Sequence, residues 1–144
     1  MKLKTFILTL MFVLFAGHVF AERLTVKSSV ANVRSGPGKD YEILWKVEQY
    51  HPLEVLTKSD QWVQFRDFEG DIGWIHQSLV ASIPAVITRS DKCNVREGPS
   101  TKFGIQFTVE RGIPFKVLKR QGKWLQVIHH ADKRPGWIHK SLVW

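Results

Sequence analysis

The side chains best suited to catalysis in this sequence are a single cysteine and six histidines. Cys93 precedes Asn94-Val95-Arg96, and a similar earlier stretch has Ala31 at the same place before Asn32-Val33-Arg34. An alanine at the matching position favours a small buried side chain, whereas a nucleophilic thiol needs an activating base or positive charge beside it. We therefore interpret Cys93 as structural, and a single cysteine excludes an internal disulfide.

The histidines show neither catalytic nor metal-binding spacing. His129 and His130 are adjacent, and neighbouring side chains of a strand point to opposite faces, which argues against a shared metal site. His76 and His139 recur at matching positions, which favours a structural role at the turn that follows each. No Ser/His/Asp or Cys/His arrangement has a recognisable context. We predict no enzyme activity, no metal and no cofactor.

Positive charge is the stronger indication of function. The whole chain has a formal net charge of +8, but residues 22–82 carry −2 and residues 83–144 carry +8. In the second half Lys119, Arg120 and Lys123 surround a predicted turn, where they could bind a peptide carboxylate or a lipid phosphate. The alternative is a solvated basic face that serves only solubility.

Aromatic residues divide into two groups. Tyr41 and Trp45 of the first half match Phe103 and Phe107 of the second. Only the first half therefore carries, on a long loop, aromatic rings with a hydrogen-bonding group. Such rings are common at recognition surfaces. The alternative is that these rings are half-exposed and only stabilise the loop, as a loop brace. Four tryptophans recur at matched positions, which favours core or core-edge packing in a repeated fold: Trp62, Trp74, Trp124 and Trp137.

An internal repeat organises all these residues. Residues 73–80 return almost unchanged as residues 136–143, with Gln77 replaced by Lys140. Earlier segments match at an offset of 62, whereas this segment matches at 63, so the second copy has one additional residue. Loop tips accept insertions readily, which predicts a hairpin between the Trp124 segment and Gly136.

The segments around these residues are predicted to form short strands. Alternating apolar residues separated by turn residues predict strands over 24–27, 32–34, 52–57, 62–65 and 73–75, with counterparts in the second copy. A single 3₁₀ turn is predicted at 77–79 and 140–142. The resulting fold is all-β, with two small five-stranded, partly open barrels in tandem. The short apolar linker predicts that the barrels touch.

The N-terminus has the features of a cleavable signal peptide over residues 1–21. Lys2 and Lys4 precede an apolar run over 6–17, which is shorter than a bilayer span, and a cut after Ala21 is expected. A retained anchor is the alternative. The expected domains are residues 22–82 and 83–144. The mature protein is expected to be periplasmic or secreted, without a membrane span.

Three motifs occur twice: Asn-Val-Arg-x-Gly-Pro, a strand that begins with Trp (Trp62-Val63-Gln64-Phe65 and Trp124-Leu125-Gln126-Val127), and Gly-Trp-Ile-His-x-Ser-Leu. In this combination the chain resembles a tandem of bacterial SH3-like (SH3b) domains over residues 24–82 and 86–144. It differs in having Val33 and Val95 where leucine is common, and no attached catalytic domain is recognisable. The resemblance implies an exported, non-catalytic module that binds cell-wall peptides, glycans or other envelope proteins.

Two functions therefore remain open. The first is recognition of peptidoglycan or an envelope peptide through Tyr41, Trp45, Lys119, Arg120 and Lys123. The second is a protein–protein adaptor without wall affinity that uses a sheet edge or the apolar end at Trp144. An exported chain is not expected to bind nucleic acid, although its charge would permit it. We expect a monomer.

Overall fold

The computed structural model describes residues 21–144, which form two antiparallel β-sheets, one from each copy of the repeat. The predicted signal peptide lies outside the described residues except for Ala21. The described residues contain no α-helix, which confirms the all-β prediction.

The first sheet has seven strands in the order β3-β2-β6-β5-β4-β1-β7. Its edges in this order are β3 and β7. The strands are β1 Arg23–Val26, β2 Val30–Arg34, β3 Ile43–Glu48, β4 Pro52–Ser59, β5 Trp62–Arg66, β6 Ile72–His76 and β7 Val80–Ala81.

The second sheet repeats this arrangement with six strands in the order β10-β9-β13-β12-β11-β8. An isolated bridge between Thr88 and Val143 takes the place of the β1–β7 pairing. The strands are β8 Ala85–Ile87, β9 Cys93–Arg96, β10 Ile105–Val109, β11 Pro114–Gln121, β12 Trp124–Ile128 and β13 Gly136–His139. Each sheet has more strands than the five expected, because β3 and β10 also pair at one edge, and in the first sheet β7 pairs at the other.

The two 3₁₀ turns lie where they were predicted, at Gln77–Leu79 and Lys140–Leu142. Each is capped by the preceding histidine. The backbone N–H of Ser78 donates to His76 Nδ1 over 3.2 Å, and Ser141 donates to His139 in the same way. Capping satisfies a backbone donor at the start of the turn, which confirms the structural role predicted for these two histidines.

Each barrel has its own apolar core. Phe65 is fully buried at the centre of the first and Phe115 at the centre of the second, each surrounded by valine, leucine and isoleucine. Ala31 and Cys93 occupy matching buried positions in these two clusters. Burying apolar surface contributes about 25 cal/mol per Å², so these clusters are the main stabilising feature of two very small domains.

The linker holds the barrels together. The Thr25 hydroxyl of the first barrel donates to the Ile83 carbonyl over 2.6 Å. The Val117 N–H of the second barrel donates to the Pro84 carbonyl over 2.8 Å. Ion pairs also cross between the barrels, including Arg111 to Glu69 at 3.6 Å. As the short linker predicted, the barrels are in direct contact.

Candidate functional site: a basic cleft between the barrels

A cleft of about 480 Å³ lies where the first strand, the linker and the last residue of the chain meet. Both barrels contribute to its walls. Its lining includes three cationic side chains and one aromatic ring: Arg23, Arg120, Lys140 and Trp144. Such a combination of positive charge and a flat apolar surface suits an anionic organic group.

Arg23 places its guanidinium over the indole ring of Trp144, 4.0 Å from the ring centroid. Burial lowers the pKa of the Arg23 guanidinium; the Glu54 carboxylate opposes this shift, and the positive charge of Arg120 adds to it. The two guanidinium groups are therefore close enough to repel each other. An anion between them would relieve that repulsion.

The neighbouring carboxylate does not neutralise the cleft. Glu54 lies opposite Arg23 in the β1–β4 pairing, but its side chain forms an ion pair with Arg66. Within residues 21–144, no carboxylate lies within 4.0 Å of a cationic nitrogen of Arg23, Arg120 or Lys140. These three charges remain available to a ligand.

The predicted basic trio is divided by the local geometry of β11. A bulge between Val117 and Lys119 shifts the register, after which Arg120 pairs with Leu125 and Lys119 with Gln126. Leu125 and Arg120 both line the cleft, and successive side chains of a strand alternate between faces, so Lys119 lies on the opposite face. Lys123 is outside the cleft lining, in the turn before β12. Binding by the trio stays a prediction, and only Arg120 enters the cleft.

Sequence reasoning missed two of the cationic residues. Lys140 is the residue that replaces Gln77 in the otherwise unchanged repeat of residues 73–80. This charge difference between the two copies was a usable signal. Arg23 offers no comparable signal, since its place in the cleft depends on how the two barrels pack.

Tyr41 lies half-exposed on its loop, with its ring against Gly36. A Cβ on Gly36 would overlap that ring, and Phe103 covers Gly98 in the second barrel in the same way. This repetition favours the loop-brace interpretation. A role for the Tyr41 hydroxyl in recognition stays a prediction.

Trp45 lies in a second pocket of about 550 Å³, which is separate from the basic cleft. Its ring meets Phe65 edge-on at 6.4 Å between centroids and partly joins the core. The acidic lining of this pocket differs from the cleft, because it includes Glu48, Asp67, Glu69 and Asp71. A ligand contact at Trp45 stays a prediction, and a cationic group would suit it better than an anionic one.

The four matched tryptophans differ in how deeply they are buried. Trp137 is buried, but Trp62, Trp74 and Trp124 are half-buried and lie outside the two core clusters. Core or core-edge packing stays a prediction for all four, and the half-buried rings of these three suit its core-edge form. For Trp62 and Trp124 the shared environment is the wall of a groove.

This groove occurs once in each barrel. Trp62 meets His76 edge-on at 5.2 Å, and Trp124 meets His139 at the same distance. Asparagine and arginine complete both linings, Asn32 with Arg34 in one barrel and Asn94 with Arg96 in the other. Among the described residues, Asn94 Oδ1 is buried and has no hydrogen-bond partner.

Cys93 is fully buried, and its thiol contacts the Ser90 carbonyl over 3.4 Å. Burial raises the pKa of the Cys93 thiol, a shift that the Ser90 contact opposes and the charge of Asp91 increases. A thiol with a raised pKa and no solvent access is a poor nucleophile. Cys93 therefore has a structural environment, as its sequence position indicated.

The fold defines this protein as a tandem of small SH3-like barrels. The sequence profile of the family described as "Bacterial SH3 domain" matches residues 27–81 and 89–144. The chain belongs to this family, which confirms the resemblance seen in its repeated motifs.

A search of residues 21–144 for helices of sufficient length and apolarity to cross a membrane finds none.

Curated relatives are much longer than this chain. YrvJ of Bacillus subtilis, named as a candidate N-acetylmuramoyl-L-alanine amidase, is 25% identical over 123 residues, which cover 78% of this chain and 23% of that protein. LytH of Staphylococcus epidermidis, named as a probable cell wall amidase, is 35% identical over 52 residues, which cover 36% of this chain and 18% of that protein. The matched regions thus span about a fifth of the length of these relatives.

Among solved structures, an NlpC/P60 family protein from Bacillus cereus aligns with 85% of this chain and 56% of its own. The sequence identity is 12% and the TM-score is 0.41.

Proposed function

We propose that this protein is a non-catalytic binding module of the bacterial cell envelope that recognises peptidoglycan through carboxylates of its peptide stems. The observation that carries the proposal is the convergence of Arg23, Arg120 and Lys140 on one cleft beside Trp144. The names of the relatives support it, since both refer to amidases of wall material and the matched region is the SH3-like part of this chain. The expected location is periplasmic or secreted.

Affinity should come from charge-assisted hydrogen bonds. A bidentate carboxylate–guanidinium contact adds geometric specificity, and hydrogen bonds to charged groups contribute about 1.5–3 kcal/mol each. The Trp144 ring lies under the Arg23 guanidinium and restricts where that group can be in the cleft. Because the cleft is open to solvent, binding should weaken as salt is raised.

The test is sedimentation of residues 22–144 with insoluble peptidoglycan at low and raised salt. The informative variant is Arg120→Glu/Lys140→Glu, which reverses two charges inside the cleft. Its matched control is Lys119→Glu/Lys123→Glu, which changes the net charge equally but reverses side chains outside the cleft lining. Circular dichroism checks that both variants fold.

We expect the cleft variant to lose about tenfold or more in affinity, as two lost charge contacts imply, while the control keeps most of its binding. Loss in the control with retention in the cleft variant would move the ligand to the Lys119 and Lys123 face. No sedimentation at any salt concentration would overturn the proposal of wall binding.

A second candidate function is a protein–protein adaptor, favoured by the exposed edges of both sheets. The edge strand β3 carries Ile43 and Leu44, which are 42% and 45% exposed, and β10 carries Ile105, which is 51% exposed. Edge strands present unpaired backbone groups that can pair with another chain. In contrast, the apolar end at Trp144 is covered by Arg23, which makes it a poor docking surface.

The adaptor function is tested by crosslinking the protein in intact envelopes and comparing wild type with Leu44→Lys. A charge on the edge strand should remove a specific crosslink. A matched control is Leu118→Lys, since Leu118 is similarly exposed at 46% but lies away from the edge, on β11. An equal crosslink in all three proteins would contradict the use of this edge.

A further inference from the structure

Three potential metal ligands from the two barrels meet at a point away from the basic cleft. Glu48 is the last residue of β3 in the first barrel, and His129 and His130 directly follow β12 in the second. One ligand atom from each residue lies within 4.8 Å of the other two. This cluster is formed only when the barrels pack together.

The sequence argued against this site because adjacent strand residues face opposite ways. In the structure β12 ends at Ile128, so both histidines lie in the hairpin loop, where strand alternation does not apply. Their rings are tilted by 42°, with centroids 4.2 Å apart. The argument from strand alternation therefore does not apply to these two side chains.

The distances suit one ion between the three groups. Glu48 Oε2 lies 2.8 Å from His130 Nε2 and 3.7 Å from His129 Nε2. A small divalent cation binds imidazole nitrogen and carboxylate oxygen at about 2.0–2.2 Å, so its ligand atoms lie roughly 3–3.5 Å apart. The three groups need only small shifts to surround such an ion.

The cluster is half-sheltered. The side chains of His129, His130 and Glu48 are 18%, 30% and 40% exposed. The ring of His129 packs edge-on against the buried Phe115, with centroids 5.9 Å apart, which restricts its orientation. Such ligands lose little freedom on binding, and the exposed side leaves an entry path and an open position for water.

We propose that Glu48, His129 and His130 form a binding site for a zinc-like divalent cation that links the two barrels. Two imidazoles and one carboxylate are a ligand set typical of zinc and related transition metals, whereas calcium and magnesium prefer oxygen ligands alone. The ion would neutralise Glu48 and hold the hairpin of the second barrel against the edge strand of the first. This site is independent of the proposed wall binding, which uses other residues.

Two local rearrangements accompany binding. His129 Nδ1 accepts a hydrogen bond of 3.2 Å from the Ala131 N–H, which requires that this nitrogen carry no proton. For metal binding through Nε2, the proton of the neutral ring must move to Nδ1, and the contact with Ala131 is then lost. The 2.8 Å contact between His130 Nε2 and Glu48 Oε2 is a hydrogen bond in which Nε2 donates, because a carboxylate oxygen only accepts. Metal binding through His130 Nε2 therefore requires the same shift of the ring proton to Nδ1.

Because the site exists only in the packed pair, the ion should bind the folded tandem and not the unfolded chain. An ion that binds only the folded form increases the free energy of unfolding. The increase grows with the logarithm of the ratio of ion concentration to dissociation constant. Zinc should therefore raise the thermal midpoint of unfolding.

The experiment is calorimetric titration of residues 22–144 with Zn²⁺, in parallel with thermal unfolding and the visible absorption of bound Co²⁺. The variants are Glu48→Gln, His129→Ala and His130→Ala. The matched control is Glu69→Gln, which removes a different interbarrel ion pair, with Arg111, and no metal ligand. Circular dichroism without metal checks folding, and the near-isosteric Glu48→Gln keeps the test valid if a histidine variant unfolds.

We expect one Zn²⁺ per chain, with affinity reduced about tenfold or more by each of the three variants, because even the loss of a group that only supports a metal ligand costs about that much. Glu69→Gln should bind as wild type does. Zinc should raise the unfolding midpoint of wild type and Glu69→Gln only. The proposal is overturned by the absence of saturable binding, or by equal binding in wild type and the three site variants.

Discussion

Val33 packs directly on Gly73, so a Cβ atom on residue 73 would overlap the Val33 Cγ1 atom. Val95 covers Gly136 in the second barrel in the same way. The glycine of each Gly-Trp-Ile-His motif is thus required by the valine of the Asn-Val-Arg motif, because β6 and β13 cross close to β2 and β9. Two repeated motifs far apart in sequence form one contact in space.

Gly73→Ala should destabilise the first barrel by about 1–3 kcal/mol, the usual result of adding a methyl group to a packed core. Denaturant unfolding measures the change. Gly73→Ala/Val33→Ala should lose less than the sum of the two single variants, since each change relieves the clash of the other. Strict additivity would show that the contact is not the cause.

Tyr41→Phe should leave the free energy of unfolding unchanged within about 0.5 kcal/mol, because Phe103 shows that the ring alone covers the loop glycine. Chemical unfolding tests this expectation. Sedimentation with peptidoglycan then tests the hydroxyl separately. If the variant has normal stability but no longer binds peptidoglycan, the Tyr41 hydroxyl takes part in recognition, and the ring does more than brace the loop.

Cys93 should react with a thiol reagent only as the second barrel unfolds, because the thiol is buried and burial raises its pKa. The rate of modification, measured across a denaturant series, should follow the unfolded fraction. Cys93→Ala should cost about 1 kcal/mol, since Ala31 fills the matching core position. Rapid labelling of the native protein would contradict a structural thiol.

Stability should fall in acid because of His51, which is 9% exposed. Burial lowers the pKa of its imidazole, and the carboxylates of Asp67 and Glu48 oppose this shift only in part. The unfolded chain, with a histidine pKa of about 6.5, therefore binds a proton at a pH where the folded chain does not. The free energy of unfolding is therefore unaffected by the titration of His51 above about pH 6.5. It falls progressively below that pH, by at most about 1.4 kcal/mol per pH unit.

The matched variant for this effect is His51→Ile, since the second barrel has Ile113 at the corresponding position. Among the described residues His51 Nε2 is buried without a hydrogen-bond partner, so an apolar replacement should not destabilise the protein at neutral pH. Unfolding midpoints measured from pH 7.5 to 5 should depend less on pH in the variant. An unchanged dependence would place the titrating group elsewhere.

The sequence by itself determined the architecture of each barrel. Repeated motifs such as Asn32-Val33-Arg34 and residues 73–80 showed two copies of one all-β fold, and the matched Ala31 and Cys93 showed a buried position. Local patterns suffice here because strand alternation and turn chemistry act over a few residues, and the second copy shows which positions vary freely.

Only the tertiary structure decided what the barrels form between them. Arg23 and Arg120 are 97 positions apart in the sequence and line one cleft. The bulge in β11 sends Lys119 to the other face, and the end of β12 at Ile128 turns His129 and His130 toward Glu48. Local sequence patterns cannot predict such contacts, because each contact depends on how two unlike surfaces pack. The residues that meet there are far apart in the sequence, and no motif links them.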